Sequence, residues 1–398
     1  DGKDHQSCQF LSKRAPDESH EFTWKEVTTT RGGELAEILG DQLRSVDSLV
    51  VKGNVNDKDF HAMWDASLYG YLSVINLKNA VLENNAVPDT AFFHENEQYE
   101  GSSHEIFYYI GLRKIILPEG LEKIGEGAFY QASALRQVNF PSTLRYIGDF
   151  AFNATKLEMN QLVIPEGVEE INQYAFAFCR KLKAQVTLPS TIKKIGEWAF
   201  YGCPITSINL PEGLESLGSL AFWDCDLREV SIPSSCHEFN EGWQFGFNRN
   251  LEKMHLPEGM TEIPDHFAVD CFRLREVNFP HTLKHIGEKA FSLCISLKNV
   301  DLPLGMQSLG EEAFSELEAL EQIVFPASMK SLGKNSCSYW KNIKRIYCAA
   351  MEPPVCDPTD GGVFSGFDFP DGLNTPVVYV PKGSINKYKD TSRNCMGW

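Results

Sequence analysis

The stretch LREVNFPHTLKHIGEKAFSLCISL, residues 274–297, decides the fold. Leu274, Val277 and Phe279 are spaced so that Val277 and Phe279 share one face of an extended segment, and Pro280 ends it by removing a backbone donor. That is the pattern of a short, half-buried strand. Ile286 to Phe291, with its Ile-Gly-x-x-Ala-Phe order, then supplies a second apolar edge. Both phrases recur. Prolines closing the first stand at 118, 141, 165, 189, 211, 233, 257, 280, 303 and 326, in steps of 22–24 residues. The second returns at Ile124 to Phe129, Ile147 to Phe152 and Ile195 to Phe200, with looser forms at Ile171, Leu217 and Leu309. A fixed period of this size is the signature of a solenoid. One coil buries too little apolar surface to offset the entropy of ordering it, so coils must stack and seal one another.

Composition narrows the classes of function. With 42% hydrophobic and 23% charged residues the 398-residue chain is that of a folded protein, and no run of eighteen apolar residues is present to span a bilayer. Acidic residues exceed basic ones by 54 to 37, a formal charge of −17, which repels phosphate backbones and anionic headgroups. Nucleic-acid binding and direct membrane insertion are therefore not expected. The sequence opens Asp1-Gly-Lys without methionine, which suggests a processed or truncated chain whose targeting segment is out of view, so export is neither read nor excluded from these residues.

The phrase order, the proline, the Ala-Phe pair and the cysteine of residues 274–297 together resemble the consensus of the BspA-like leucine-rich repeat proteins of bacterial surfaces, and about ten coils from Leu112 to Cys348 match it. The expected architecture is a leucine-rich-repeat β-solenoid: a right-handed, curved stack of roughly a dozen 22–24-residue coils, with a parallel sheet on one face and capped ends. Residues 1–42 form the N-terminal segment and cap, 43–111 the first atypical repeats with an acidic insertion at 93–105, 112–350 the regular repeats and 351–398 the C-terminal cap. Asp57 is expected to cap a short helix carrying Phe60, Met63 and Trp64 on one face, between first strands at LVVKG and LSVINLKNA. At the other end VVYVP reads as a last strand, followed by a short helix with Ile385 and Tyr388. The repeat blurs at 236–248 and 263–272, where local bulges are expected. The resemblance implies a secreted or surface-anchored binding module, adhesion to a protein on a host or neighbouring cell, and no enzyme activity.

Residue chemistry adds no catalytic signature. Of eleven cysteines, Cys179, Cys203, Cys225, Cys271 and Cys294 follow the Ala-Phe phrase at one register and read as reduced thiols filling the core. A ladder of parallel side chains does not converge on a metal. Cys8, Cys348, Cys356 and Cys395 lie outside it, and their pairing is open. His104-Glu105 lacks the second histidine of a zinc-peptidase helix, and His281 and His285 are separated by loop and strand rather than by one helical turn. Residues 54–59, NVNDKD, carry calcium-like oxygens but lack the glycine and glutamate of a calcium loop, which favours helix capping. No cofactor or metal is expected.

Surface rows remain. Phe150, Tyr174, Trp198 and Leu220 precede the alanine of successive phrases, while Tyr130, Tyr201 and Trp223 follow the phenylalanine. Pointing outward, they would form an aromatic strip suited to protein hot spots or to the faces of sugars; pointing between coils, they would merely pack. On the first strand, Asn139, Thr187, Asn209, Ser231, His255, Asn278 and Asp301 share one register and form a second candidate row, or a solvated face. A protein partner is the main expectation, and a glycan on the aromatic strip is the alternative.

Overall fold

The computed structural model describes residues 20–93, 110–356, 362–365 and 376–390. The chain is a parallel-sheet β-solenoid of about 13 turns. It divides into two compact units, Asp1–Ala184 and Gln185–Trp398.

Among the described residues the first element of this unit is a strand that the repeat pattern does not announce, β1 (Trp24–Thr29), followed by a short helix α1 (Leu35–Leu39). The two expected strands are β2 (Ser48–Val55) and β3 (Val74–Leu82), with helix α2 (Asp57–Tyr69) between them. All three strands are parallel, and the ladder continues through Lys114–Ile116 and Gln137–Val138. Asn56, rather than the expected Asp57, caps α2: its side chain accepts from Lys58 N, and Asp59 returns a carboxylate to the Asn56 amide. Asp59 does more. Its two oxygens also accept from Gly33 N at 2.7 Å and Leu35 N at 2.9 Å, so this buried carboxylate ties α1 to α2. Of the NVNDKD side chains, Asn56 and Asp59 are thus employed in capping.

In the second unit the first strands pair as Gln185–Thr187 with Ser207–Asn209, then Glu229–Ser231 with Lys253–His255 and Glu276–Asn278. Gln322–Phe325, Arg345–Cys348 and Val377–Tyr379 form the last ladder. Tyr388, on the closing helix α3 (Ile385–Tyr388), is buried and donates its hydroxyl to Ala350 O at 2.9 Å, while Ile385 is exposed.

Each regular coil has three sides. A first strand is followed by the proline turn, a two-residue second strand, and a third side formed by the Ala-Phe phrase. The glycine of Ile-Gly sits at a corner where coils nearly touch. A Cβ on Gly148 would stand 2.7 Å from Glu126 N, and one on Gly310 2.6 Å from Glu288 N. Glycine is needed there for the approach, not for an unusual φ.

The third side has its own ladder. In ten successive coils, two residues four apart hold φ between 51° and 66°: the pairs include Phe150 and Ala154, Trp198 and Gly202, and Trp243 and Phe247. For a non-glycine residue this left-handed conformation costs about 1–2 kcal/mol. The compensation is that every second amide points along the stack. Phe150, Phe152 and Ala154 donate to Gln173, Ala175 and Ala177 at 2.8–2.9 Å, and Trp198, Phe200 and Gly202 donate to Ser219, Ala221 and Trp223 in the same way.

Inside this ladder the phenylalanines are stacked. Phe92, Phe129, Phe152 and Phe176 lie ring on ring, with centroids 5.2–5.3 Å apart and planes within 11°. In the second unit Phe200, Phe222 and Phe245 repeat this at 5.6 Å and within 9°. The blurred repeat at 263–272 shows why it blurs: the order is Phe267-Ala268 instead of Ala-Phe. Phe267 meets Phe245 edge-on at 76° and reaches under Phe239 at 81°, so the ring stack is interrupted while the backbone ladder is kept, with Ala268 N on Ala290 O at 2.8 Å. The second-strand ladder ends at Glu238–Phe239 and resumes at Glu262–Ile263. The irregularity is an inverted pair of residues rather than the expected bulge.

The cysteines are buried free thiols, as expected, but they are not plain hydrophobes. Cys179, Cys225, Cys271 and Cys294 each place Sγ 3.1–3.3 Å from the carbonyl at the phenylalanine position of the preceding coil. Asn248 Nδ2 and Trp340 Nε1 donate to the same carbonyl at 2.7 Å in coils that lack the thiol. Burial pushes the Cys271 thiol up to about 12, and Cys225 and Cys294 also rise, which keeps them protonated as donors and unreactive as nucleophiles. Cys348 and Cys356 are likewise free and buried; Cys8 and Cys395 lie outside the described residues.

Candidate functional site

The aromatic row is half-buried throughout. In the first unit Phe150 and Tyr174 stack at 4.7 Å and 8°, Tyr130 meets Phe150 edge-on at 5.9 Å, and Phe93 meets Tyr130 edge-on at 4.7 Å. In the second, Trp198 lies 4.4 Å from Tyr201, Trp223 contacts both Trp243 and Phe247, and Trp243 stacks on His266 at 3.6 Å. These residues carry the left-handed φ of the third side or stand three positions from one that does. Phe150 with Tyr174 and Trp243 with His266 lie face to face, the other contacts are edge-on or tilted, and each ring is half-buried against a neighbour. A pyranose face stacks on an exposed ring face, and the rings here are half-buried against their neighbours.

Trp223 is held most closely. A Cβ added to Gly246 would stand 2.1 Å from Trp223 Cζ3 and 2.5 Å from Cε3, so the indole lies directly against the backbone of the next coil. Gly246→Ala is expected to displace the Trp223 ring and to cost about 1–3 kcal/mol through overpacking. The check is the Trp223 indole resonance in a two-dimensional NMR spectrum: it should shift strongly with the fold retained, and an unmoved resonance would contradict this packing.

The strand row behaves differently. Thr187 pairs with Asn209, and Ser231 with His255 and then Asn278, with these side chains outward. Asn278 returns its amide to the preceding coil, Oδ1 accepting from Leu256 N at 2.9 Å and Nδ2 donating to Leu256 O at 3.0 Å; Asn139 does the same with Leu117. These two carboxamides extend the strand ladder as a peptide group would. His255 pairs with Glu229 at 3.3 Å, and Lys253 with Glu276 at 3.3 Å. Thr187, Asn209 and Ser231 stand exposed on this face, as does Asp301 in its own coil. At the end of the second unit the same face turns apolar: Val324, Tyr347 and Tyr379 are in register, with the two tyrosines stacked at 4.7 Å.

Among the described residues there is no group of three His, Cys, Asp or Glu able to hold a metal ion, and no helix long and apolar enough to cross a membrane. A hollow of about 300 Å³ near the N-terminal cap is lined by Asn56, Asp57, Glu83, Asp89 and Lys123, where Lys123 pairs with Asp89 at 3.4 Å and Asp89 Oδ1 accepts from Glu126 N. Lys123 and Asp89 are thus engaged in local contacts. His285 donates to or accepts from Ser308 at 2.7 Å and His281 N donates to Glu258, so the two histidines serve different contacts. Burial lowers the pKa of His266 under Trp243, against the opposing pull of Glu288. His104, Glu105 and most of the acidic insertion lie outside the described residues.

Parallel coils with a strand, a turn and an Ala-Phe side define a leucine-rich-repeat solenoid. The family profile described as BspA type leucine rich repeat region (6 copies) matches residues 102–185, 183–291 and 266–351, more than half of the chain, which therefore belongs to that family. A leucine-rich repeat protein from Bacteroides ovatus is similar in structure, with TM-score 0.54 and 23% identity over 77% of this chain and 79% of its own. A leucine rich cell surface protein from Faecalibacterium prausnitzii aligns with TM-score 0.38 and 18% identity over 81% of this chain and 87% of its own. The comparison with curated proteins gives no match.

Proposed function

We propose that this chain is a non-enzymatic binding module, secreted or displayed at the cell surface, that engages a protein partner through the outward face of its first strands. The observation that carries the reading is the contrast between the two rows. The aromatic rings are half-buried against one another, whereas Thr187 and Asn209 on one hydrogen-bonded ladder, and Ser231 and His255 on the next, have their side chains toward solvent. A fixed sheet face pre-organises contacts and lowers the entropic cost of association. Family membership supports adhesion as the setting. A glycan ligand is the weaker reading because it needs open rings, and those of this row are half-buried against one another.

The test is capture of extracellular and surface proteins by the immobilised chain, repeated with Asn209→Arg plus His255→Glu, and set beside a glycan array probed with the parent and with Trp198→Ala plus Trp223→Ala. A protein captured by the parent and lost in the first variant supports the proposal. Saturable sugar binding that the tryptophan variant abolishes would overturn it.

A further inference from the structure

The proline turns are of two kinds, and they alternate. Pro-Glu-Gly occurs at 118, 165, 211 and 257, and Pro followed by Ser-Thr, Ser-Ser or His-Thr at 141, 189, 233 and 280. Glycine in the first kind holds φ of 96–108° at Gly120, Gly167, Gly213 and Gly259. Three times within a unit the two kinds are clamped in the same order. Glu119 accepts from the Ser142 amide and hydroxyl at 3.2 and 3.0 Å, Glu212 from those of Ser234 at 3.3 and 3.1 Å, and Glu258 from the amide of His281 at 3.1 Å. Beside each clamp, Gly120, Gly213 and Gly259 donate N–H to the hydroxyls of Thr143, Ser235 and Thr282 at 2.9–3.0 Å, and these hydroxyls donate to Leu121, Leu214 and Met260 O.

The fifth instance loses both halves of the clamp together. Leu304 stands where the glutamate would be, 88% exposed, and Ala327 stands where the serine would be, while Ser328 keeps its bond to Met306 O at 2.6 Å. A neighbouring column alternates as well: Lys193, Glu215 and His237 follow one another in hydrogen-bonded register, as do Glu122 and Arg145.

We infer that the repeating unit of this solenoid is a pair of coils, about 46 residues, and that the turn clamp is a register lock: glutamate on the glycine turn of one coil holds the serine turn of the next, and the reverse order does not fit. A single-coil slip would place glutamate against glutamate and leave the turn amides unpaired, so the lock specifies which coil lies on which.

The experiment adds the missing clamp to the full chain. Leu304→Glu with Ala327→Ser is expected to raise the melting temperature by about 2 °C and to slow exchange of the amide at 327; Ala327→Ser alone leaves both unchanged, and Leu304→Glu alone, which like Glu258 reaches only an amide, gives part of the effect. The transposed pair, Leu304→Ser with Ala327→Glu, is expected to gain nothing. In parallel, Glu212→Ala and Ser234→Ala should each lower the melting temperature, and their combination should lower it no further than the worse single change. Additive effects in either cycle, or an equal gain from the transposed pair, would overturn the inference.

Discussion

Phe222→Ala is expected to cost about 3–5 kcal/mol, the largest effect of any single truncation in the regular coils. Phe222 is fully buried and stacked on both sides, 5.6 Å from Phe200 and 5.6 Å from Phe245, and its amide donates to Gln244 O at 2.9 Å. Truncation opens a ring-sized gap that neither neighbour can fill, because Phe200 and Phe245 are each fixed by their own inter-coil bonds to Ala221 and Phe267 O. Phe222→Leu keeps most of the volume and is expected to cost under about 1.5 kcal/mol. Denaturant unfolding of the two variants checks the order; equal costs would mean that volume at this position is not what holds the coils together.

Asp59→Ala is the second large effect, about 3–5 kcal/mol. It strips acceptors from Gly33 N, Leu35 N and Asn56 N at once, and a buried donor left without a partner costs about 1–3 kcal/mol. Asp59→Asn should recover less than half of the loss, since one acceptor becomes a donor facing the same amides. The expected signature is early unfolding of the N-terminal cap, read as raised hydrogen exchange across residues 48–82. An Asp59→Ala variant within 1 kcal/mol of the parent would show that the cap does not depend on this carboxylate.

Much of this was legible because the repeat prints its core ten times. Val277, Ile286 and Phe291 declare their faces through spacing alone, and Tyr388 and Val377–Tyr379 fall where the pattern places them. Less legible were features set by contact between coils. Spacing shows that Cys225 is inward but not that its thiol meets Phe200 O; Asn248 and Trp340 at the same register were the available signal. The left-handed φ of Phe150 and Trp198 has no marker in their own side-chain type; at the equivalent positions of other coils only Gly127, Gly202, Asp224, Asp270 and Asn335 hint at it. β1 lies upstream of the periodic region, so nothing in the period announces it. For the candidate surface, sequence placed Trp198, Trp223, Asn209 and His255 in rows, whereas only geometry separates rings half-buried against one another from side chains that face solvent.

The central claim is that each coil is held by its neighbours, and native-state hydrogen exchange of the second unit in the parent and in Phe222→Ala tests it most directly. Amides 198, 200, 202, 222 and 224, which bridge adjacent coils on the third side, should lose protection in the variant, while 289, 291, 293, 312 and 314 keep theirs. Uniform loss across all of these amides would contradict the account, because it would mean a single cooperative core rather than stability passed from coil to coil.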